Sequence, residues 1–343
     1  MKHIRTMAAT LAVASLGSGQ ALAAGDLYLY NWTDYTSPEL IEKFEAETGI
    51  NVTLDTYDSN ETLLSRLQAG GAQYDIVVPS QNFVPILIEE GLAYEINAQE
   101  LDGYENLTDE WRDPEWDPGN RYSIPWHMGS TSFAVNTARY GGDIDTYEVL
   151  FHPPEELQGR IGMFGSPDEV VSLAQIYLGL DQCNEDPHEM QQVLELLQEQ
   201  RPHVQVYDAD GILERLASED AFMHMIWNGY ALRTRQENPD IRYAFPREGV
   251  LSFADSLMVP AGARNQENAI RFLEFMMQPE NAAMQSNFAG YSNGIAGSDA
   301  YMDEDLAEAP ELLGVDIDDR VFAEVCSEDA IRLQTEVWTR LLQ

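Results

Sequence analysis

Positive charge is scarce in this sequence. Its 343 residues carry 19 Lys and Arg against 59 Asp and Glu, a formal net charge of −40. Such a surface repels nucleic acid and anionic lipid, so binding to either is not expected. The acids are spread along the whole chain. Most of the excess therefore reads as a solvated acidic coat suited to high salt, which also attracts cations. Long apolar runs are missing too. The stretch Met7–Leu16 is apolar but too short to span a bilayer. Lys2 and Arg5 precede it and Ala21-Leu22-Ala23 follows, which gives the three parts of a cleavable secretory signal over residues 1–23. No Cys follows that site, so a periplasmic protein without a direct membrane anchor is expected.

Cysteine is nearly absent. Cys183 and Cys326 are the only two. An oxidising compartment permits a disulfide between them, but nothing in the spacing demands it, and two buried free thiols is the other reading. Two isolated Cys and six scattered His form no zinc pattern. Asp208-Ala-Asp-Gly211 lacks the further ligands of a calcium loop. There is no Gly-x-Ser-x-Gly elbow, phosphate loop or His-Glu-x-x-His motif, and no credible Ser-His-Asp set. No enzyme activity, cofactor or metal site is expected.

What is present is an alternation of strands and helices. Asp26–Asn31 alternates as a strand. Ser37-Pro38-Glu39 opens a helix, with Ser37 as N-cap, and Gly49 ends it. Strands follow at 51–55 and 74–78, with a helix over 60–67 between them. The style repeats from about 137 to 252, and an amphipathic helix closes the chain from about 330. This order argues for a mainly parallel sheet covered by helices. The length is more than one core usually serves, so two domains are expected. Ser130–Asn136 and Leu257–Pro260 read as strands crossing between them.

Many strand ends carry an aromatic residue or an acid. Trp32, Asp34 and Tyr35 follow the first strand, Ser166 to Glu169 a middle one, and Trp227 ends another. Phe253, Asp255 and Tyr291 come later. Ligands of open α/β sheets sit at the carboxyl ends of strands, so these segments can converge on one cleft. Carboxylates pair with ammonium groups, and aromatic faces attract cations and cover methylenes. Each residue alone would more simply be core or solvated surface. Together they suit an organic cation.

Six stretches resemble, in order, the periplasmic spermidine/putrescine-binding proteins of bacterial polyamine ABC transporters. They are Tyr30-Asn-Trp-Thr-Asp-Tyr35, Tyr57-Asp-Ser-Asn-Glu-Thr62, Tyr74-Asp-Ile-Val-Val-Pro-Ser80, Tyr122-Ser-Ile-Pro-Trp126, Met225-Ile-Trp-Asn-Gly229 and Asp255-Ser-Leu-Met-Val-Pro260. The resemblance implies an α/β, two-lobed type II binding-protein fold with a two-strand hinge and the ligand between the lobes. It places a first lobe over residues 24–129 and 257–299 and a second over 130–256 and 300–343. It also implies a monomer that captures putrescine or spermidine and delivers it to an inner-membrane permease, with agmatine or another small organic cation as the alternative. Position by position, it assigns ligand contact to Trp32, Thr33, Asp34, Tyr35, Ser80, Ser166, Glu169, Trp227, Phe253, Asp255 and Tyr291. The chain departs from the family pattern at Asn82, Ser166 and Tyr230. Ser166 stands where relatives carry Asp, and a missing acid there favours a short diamine over spermidine.

Overall fold

The computed structural model describes residues 25–70, 73–313 and 320–343. The expected signal over 1–23 lies outside them. The described residues form ten strands: β1 (Gly25–Trp32), β2 (Ile50–Tyr57), β3 (Ile76–Val77), β4 (Ser123–Asn136), β5 (Ile161–Met163), β6 (Val204–Tyr207), β7 (Met223–Trp227), β8 (Ile241–Tyr243), β9 (Val250–Met258) and β10 (Arg320–Phe322). They form one sheet in the order β2-β1-β3-β9-β4-β7-β5-β6, with β10 on β9 and β8 on β4.

The sheet is mixed rather than mainly parallel. Its wings are parallel, β2-β1-β3 on one side and β7-β5-β6 on the other. Its centre, β3-β9-β4-β7, is antiparallel. The reason lies in how β4 and β9 serve two separate cores. One core gathers Leu27, Leu29, Phe44, Ile76 and Phe272; the other gathers Phe151, Phe164, Leu173, Leu197 and Met225. β4 gives Ile124 and Trp126 to the first and Phe133 and Val135 to the second. β9 gives Leu251 to the second and Ala254 and Leu257 to the first. A chain that crosses from one core to the other and returns must run both ways, so its two crossing strands pair antiparallel. The return comes between Leu251 and Ala254, earlier than the Leu257–Pro260 segment that strand propensity suggests. Each large side chain buried in these cores contributes roughly 1.5–3 kcal/mol.

Local signals account for the helices that frame the centre. Ser37 Oγ accepts from the Leu40 N–H, Pro38 takes the first helical position, and Gly49 ends the Pro38–Thr48 helix at φ 71°. The Pro167–Leu178 helix starts with Pro167 and carries Asp168 and Glu169 in its first turn, where the helix dipole favours acids. Trp227-Asn-Gly is a strand-to-helix junction, because Asn228–Glu237 is helical directly after β7. Gly229 is required there. A Cβ at this position would lie 2.4 Å from the Tyr291 ring and 2.6 Å from the Ala289 carbonyl oxygen. The C-terminal helix Glu328–Leu342 lays Leu333, Val337 and Leu341 on the second core. Cys183 and Cys326 are joined in a disulfide across 143 residues of chain, so the free-thiol alternative is set aside.

Candidate functional site

A cleft lies where the two cores meet, with about 690 Å³ of empty space counted out to its open mouth. Trp32, Thr33 and Tyr35 reach it from the end of β1, Ser80 from the end of β3, and Trp227 from the end of β7. Phe253 and Asp255 enter from the crossing strand β9. Among the described residues, no Lys or Arg lines it.

One end is built on Asp255, which is almost fully buried. Tyr35 donates its hydroxyl to Asp255 Oδ2 at 2.8 Å, and Ser80 donates to Oδ1 at 2.7 Å. Asn60 holds Ser80 in turn, accepting from its backbone N–H and donating to its Oγ, both at 3.1 Å. Burial pushes the Asp255 carboxyl up to about 7, although the two hydroxyls pull the other way. Burial and the neighbouring Asp255 raise the Tyr35 phenol well above its ordinary value, so it stays a donor.

The other end is built on Glu169 and Asp168. Trp227 donates its indole N–H to Glu169 Oε1 at 2.9 Å, and Thr131 donates to the same oxygen at 2.8 Å. The Ser166 hydroxyl lies between the two acids, 2.7 Å from Asp168 Oδ1 and 3.0 Å from Glu169 Oε2. Burial, and then the Asp168 charge, lift Glu169 to about 8 against these donors. Burial raises Asp168 as well. A raised carboxyl pKa means that the empty site holds its negative charge at a cost. An ammonium placed there would relieve it.

Aromatic rings fill the space around these acids. The Trp32 indole N–H donates to the Val78 carbonyl at 2.9 Å, and its ring lies 4.9 Å from Tyr57 and 6.1 Å from Trp227. Trp227 is braced by Phe164 at 4.3 Å and Tyr230 at 5.4 Å. With both indole N–H groups committed, these rings offer the cleft apolar faces, which suit methylenes and cations.

Nine of the eleven residues expected at a ligand line this cleft; Asp34 and Ser166 do not. Asp34 is exposed and turns the chain at φ 52°, a left-handed conformation that Asp tolerates better than most residues. That turn directs Tyr35 inward. Ser166 is buried behind Asp168 and Glu169. Asp168 lines the cleft itself. The acid missing at Ser166 is thus supplied two residues later, and the premise for favouring a short diamine fails. Tyr57, Asn60, Thr131 and Asp210 also line the cleft without having been singled out. Asn60 lies within the Tyr57–Thr62 stretch, so motif reading could have found it. Thr131 faces Trp227 across the β4–β7 ladder, a register no single segment reveals.

The model of the family described as bacterial extracellular solute-binding protein matches residues 39–314. The spermidine/putrescine-binding periplasmic protein of Escherichia coli is 34% identical over 292 residues, 82% of each chain. The putrescine/agmatine-binding protein of Pseudomonas aeruginosa is 31% identical over 340 residues, covering 93% of this chain and 92% of its own. Among solved structures, the spermidine/putrescine ABC transporter substrate-binding protein of Streptococcus pneumoniae superposes with a TM-score of 0.76 at 26% identity, covering 93% of this chain and 99% of that one. These are binding proteins of transport systems, not enzymes, and they share the two-lobed type II fold. With the family model spanning most of its length and its crossing strands dividing two cores around one cleft, the chain belongs to the bacterial extracellular solute-binding proteins.

Proposed function

We propose that this protein captures a polyamine in the cleft between its lobes and delivers it to the permease of an ABC transporter in the inner membrane. The protein acts as a free periplasmic monomer, and the lobes correspond to about 24–129 with 254–299 and 130–251 with 300–343, the return boundary following the split of β9 between the two cores. The observation that carries the reading is the pair of carboxylate ends, buried Asp255 and half-buried Asp168/Glu169, separated by aromatic walls with no basic side chain among the described lining residues. An ammonium at each end offsets the cost of holding those carboxylates charged, and Trp32 and Trp227 cover the methylenes between. Thr33, Phe253 and Tyr291 complete the wall, while Ser80 and Tyr35 hold Asp255 in place. Agmatine is the second reading. Asp168 and Glu169 stand side by side, and paired carboxylate oxygens can accept the fork of a guanidinium.

A thermal-shift screen with putrescine, spermidine, agmatine, ferric ion and sugars tests the proposal. A ligand at about 100 times its Kd adds roughly 2.7 kcal/mol of stability, so a true ligand moves the midpoint clearly. The polyamines should do so. A shift with ferric ion or a sugar and none with any amine would reject the proposal.

A further inference from the structure

Although no basic side chain among the described residues lines the cleft, one guanidinium stands directly behind its wall. Arg233, in the Asn228–Glu237 helix, stacks on Tyr230 with its central carbon 4.4 Å from the ring centroid. Tyr230 is a lining residue. Arg233 also lies 5.7 Å from the Phe288 ring, so the cation is near an aromatic of each core. Arg233 Nη1 donates to the Asp34 carbonyl at 3.1 Å, and the Tyr230 hydroxyl donates to the Thr33 carbonyl at 2.7 Å. Both bonds tie the helix after β7 to the turn after β1. No acid pairs directly with it, although Asp303, Glu304 and Asp305 line the outer pocket that Arg233 shares. Arg233 Nε and Nη2 are buried with no hydrogen-bond partner, and the residue makes no ion pair among the described residues. Its charge also lowers the phenol pKa of Tyr230 and of Tyr291, two wall residues, against the larger effect of burial.

We propose that Arg233 is a resident cation of the cleft and a specificity-determining residue, disfavouring ligands that bring a third ammonium to the Tyr230 corner. The inference rests on the polyamine reading above. The corner already has what an ammonium would seek there: an aromatic face and the carbonyls of the first turn, both taken by the protein's own groups. A ligand ammonium that reaches it finds the Thr33 and Asp34 carbonyls already engaged and meets a like charge one ring's thickness away, which offsets the attraction of the Asp210 carboxylate lining the cleft there. Like-charge repulsion across that distance in a partly dry site is worth about tenfold in affinity. The two carboxylate ends remain free for a diamine.

The test is calorimetric titration of putrescine and spermidine into wild type, Arg233→Gln and Arg233→Lys, with melting of each ligand-free protein as a folding control. Arg233→Gln should shift the ratio of the two affinities toward spermidine by about tenfold, whereas Arg233→Lys, which keeps the charge, should stay near the wild-type ratio. A ratio unmoved in Arg233→Gln overturns the inference. Wild type that binds neither amine rejects the polyamine reading instead, a distinct outcome. If Arg233→Gln does not fold, wild type alone decides through N-butylputrescine, which has the length of spermidine without its third amine. It should bind more tightly than spermidine, and equal or weaker binding overturns the inference.

Discussion

Tyr35 and Asp255, 220 residues apart in the chain, meet at 2.8 Å through the phenol hydroxyl and Oδ2. The bond brings the turn after β1 onto a crossing strand and fixes the carboxylate at one end of the cleft. Asp255→Asn removes the charge but keeps the shape. Losing one partner of a buried charge pair costs about 2–5 kcal/mol, so putrescine affinity should fall by orders of magnitude while the ligand-free fold persists. Titration calorimetry checks this, and near-wild-type affinity would remove Asp255 from the site.

The raised acids make the empty protein sensitive to pH. Asp255 titrates at about 7 and Glu169 at about 8 when folded, against ordinary values near 3.8 and 4.5. The folded state therefore binds more protons than the unfolded state between about pH 4 and 8, and its stability falls as pH rises through that window. Melting midpoints of the ligand-free protein should decline from pH 5 to 8.5. Repulsion within the acidic coat has the same sign, so the informative comparison is with Asp255→Asn and Glu169→Gln, which should each flatten the decline. Equal slopes in all three proteins would contradict the assignment.

Much of this was legible in the sequence because local chemistry governs it. The Ser37 cap, Pro38 and Gly49 bound their helix as expected, since each acts through its own backbone. Trp32 and Trp227 reach the cleft because strand ends in α/β sheets face one crevice, whereas Asp255 enters from within the crossing strand β9. Where long-range geometry decides, the sequence was silent or misleading. The left-handed turn at Asp34 points its neighbour inward instead of itself. The Cys183–Cys326 bond depends on two segments meeting across 143 residues, and the antiparallel centre depends on strands that serve two cores.

Glu61 lies one residue after Asn60 in the first turn of the Asn60–Gln68 helix. Its Oε2 is buried without a hydrogen-bond partner. Burial, and then the Asp168 and Glu169 charges, raise it well above the usual carboxylate range. Such a group disfavours the ligand-free cleft and favours one that holds a cation. Glu61→Gln should raise the ligand-free melting midpoint at pH 8 and weaken putrescine binding by about tenfold. Paired melting and titration at that pH are the check. A higher midpoint with unchanged affinity would show that Glu61 only strains the fold.

The disulfide has a reach beyond stability. Three residues before Cys326, Ala323 lines the cleft, and Gln81 donates to its carbonyl at 3.0 Å. Cys183→Ala with Cys326→Ala should cost about 2–5 kcal/mol of unfolding free energy. It should also weaken ligand binding several-fold, because the Ala323 wall must then be ordered on binding. Denaturant unfolding and titration of the same variant separate the two effects, and unaltered affinity would mean that the β9–β10 pairing alone holds that wall.

Ser166 supplies one hydroxyl proton between two carboxylates and does not line the cleft. Reading the sequence alone, Ser166→Asp would add a missing acid for spermidine. The geometry reverses that expectation. The substitution removes the donor shared by Asp168 and Glu169 and sets a third acid against them at a nearly fully buried position. The ligand-free variant should melt lower than wild type at pH 8. It should recover at pH 5, where protonation relieves the cluster. Putrescine and spermidine should both bind more weakly, with their ratio kept within about threefold, because position 166 offers the ligand no direct contact. Ser166→Ala should show a smaller loss of the same kind, since it removes the donor without adding charge. A selective gain for spermidine in Ser166→Asp would mean that the new carboxylate reaches the ligand after all.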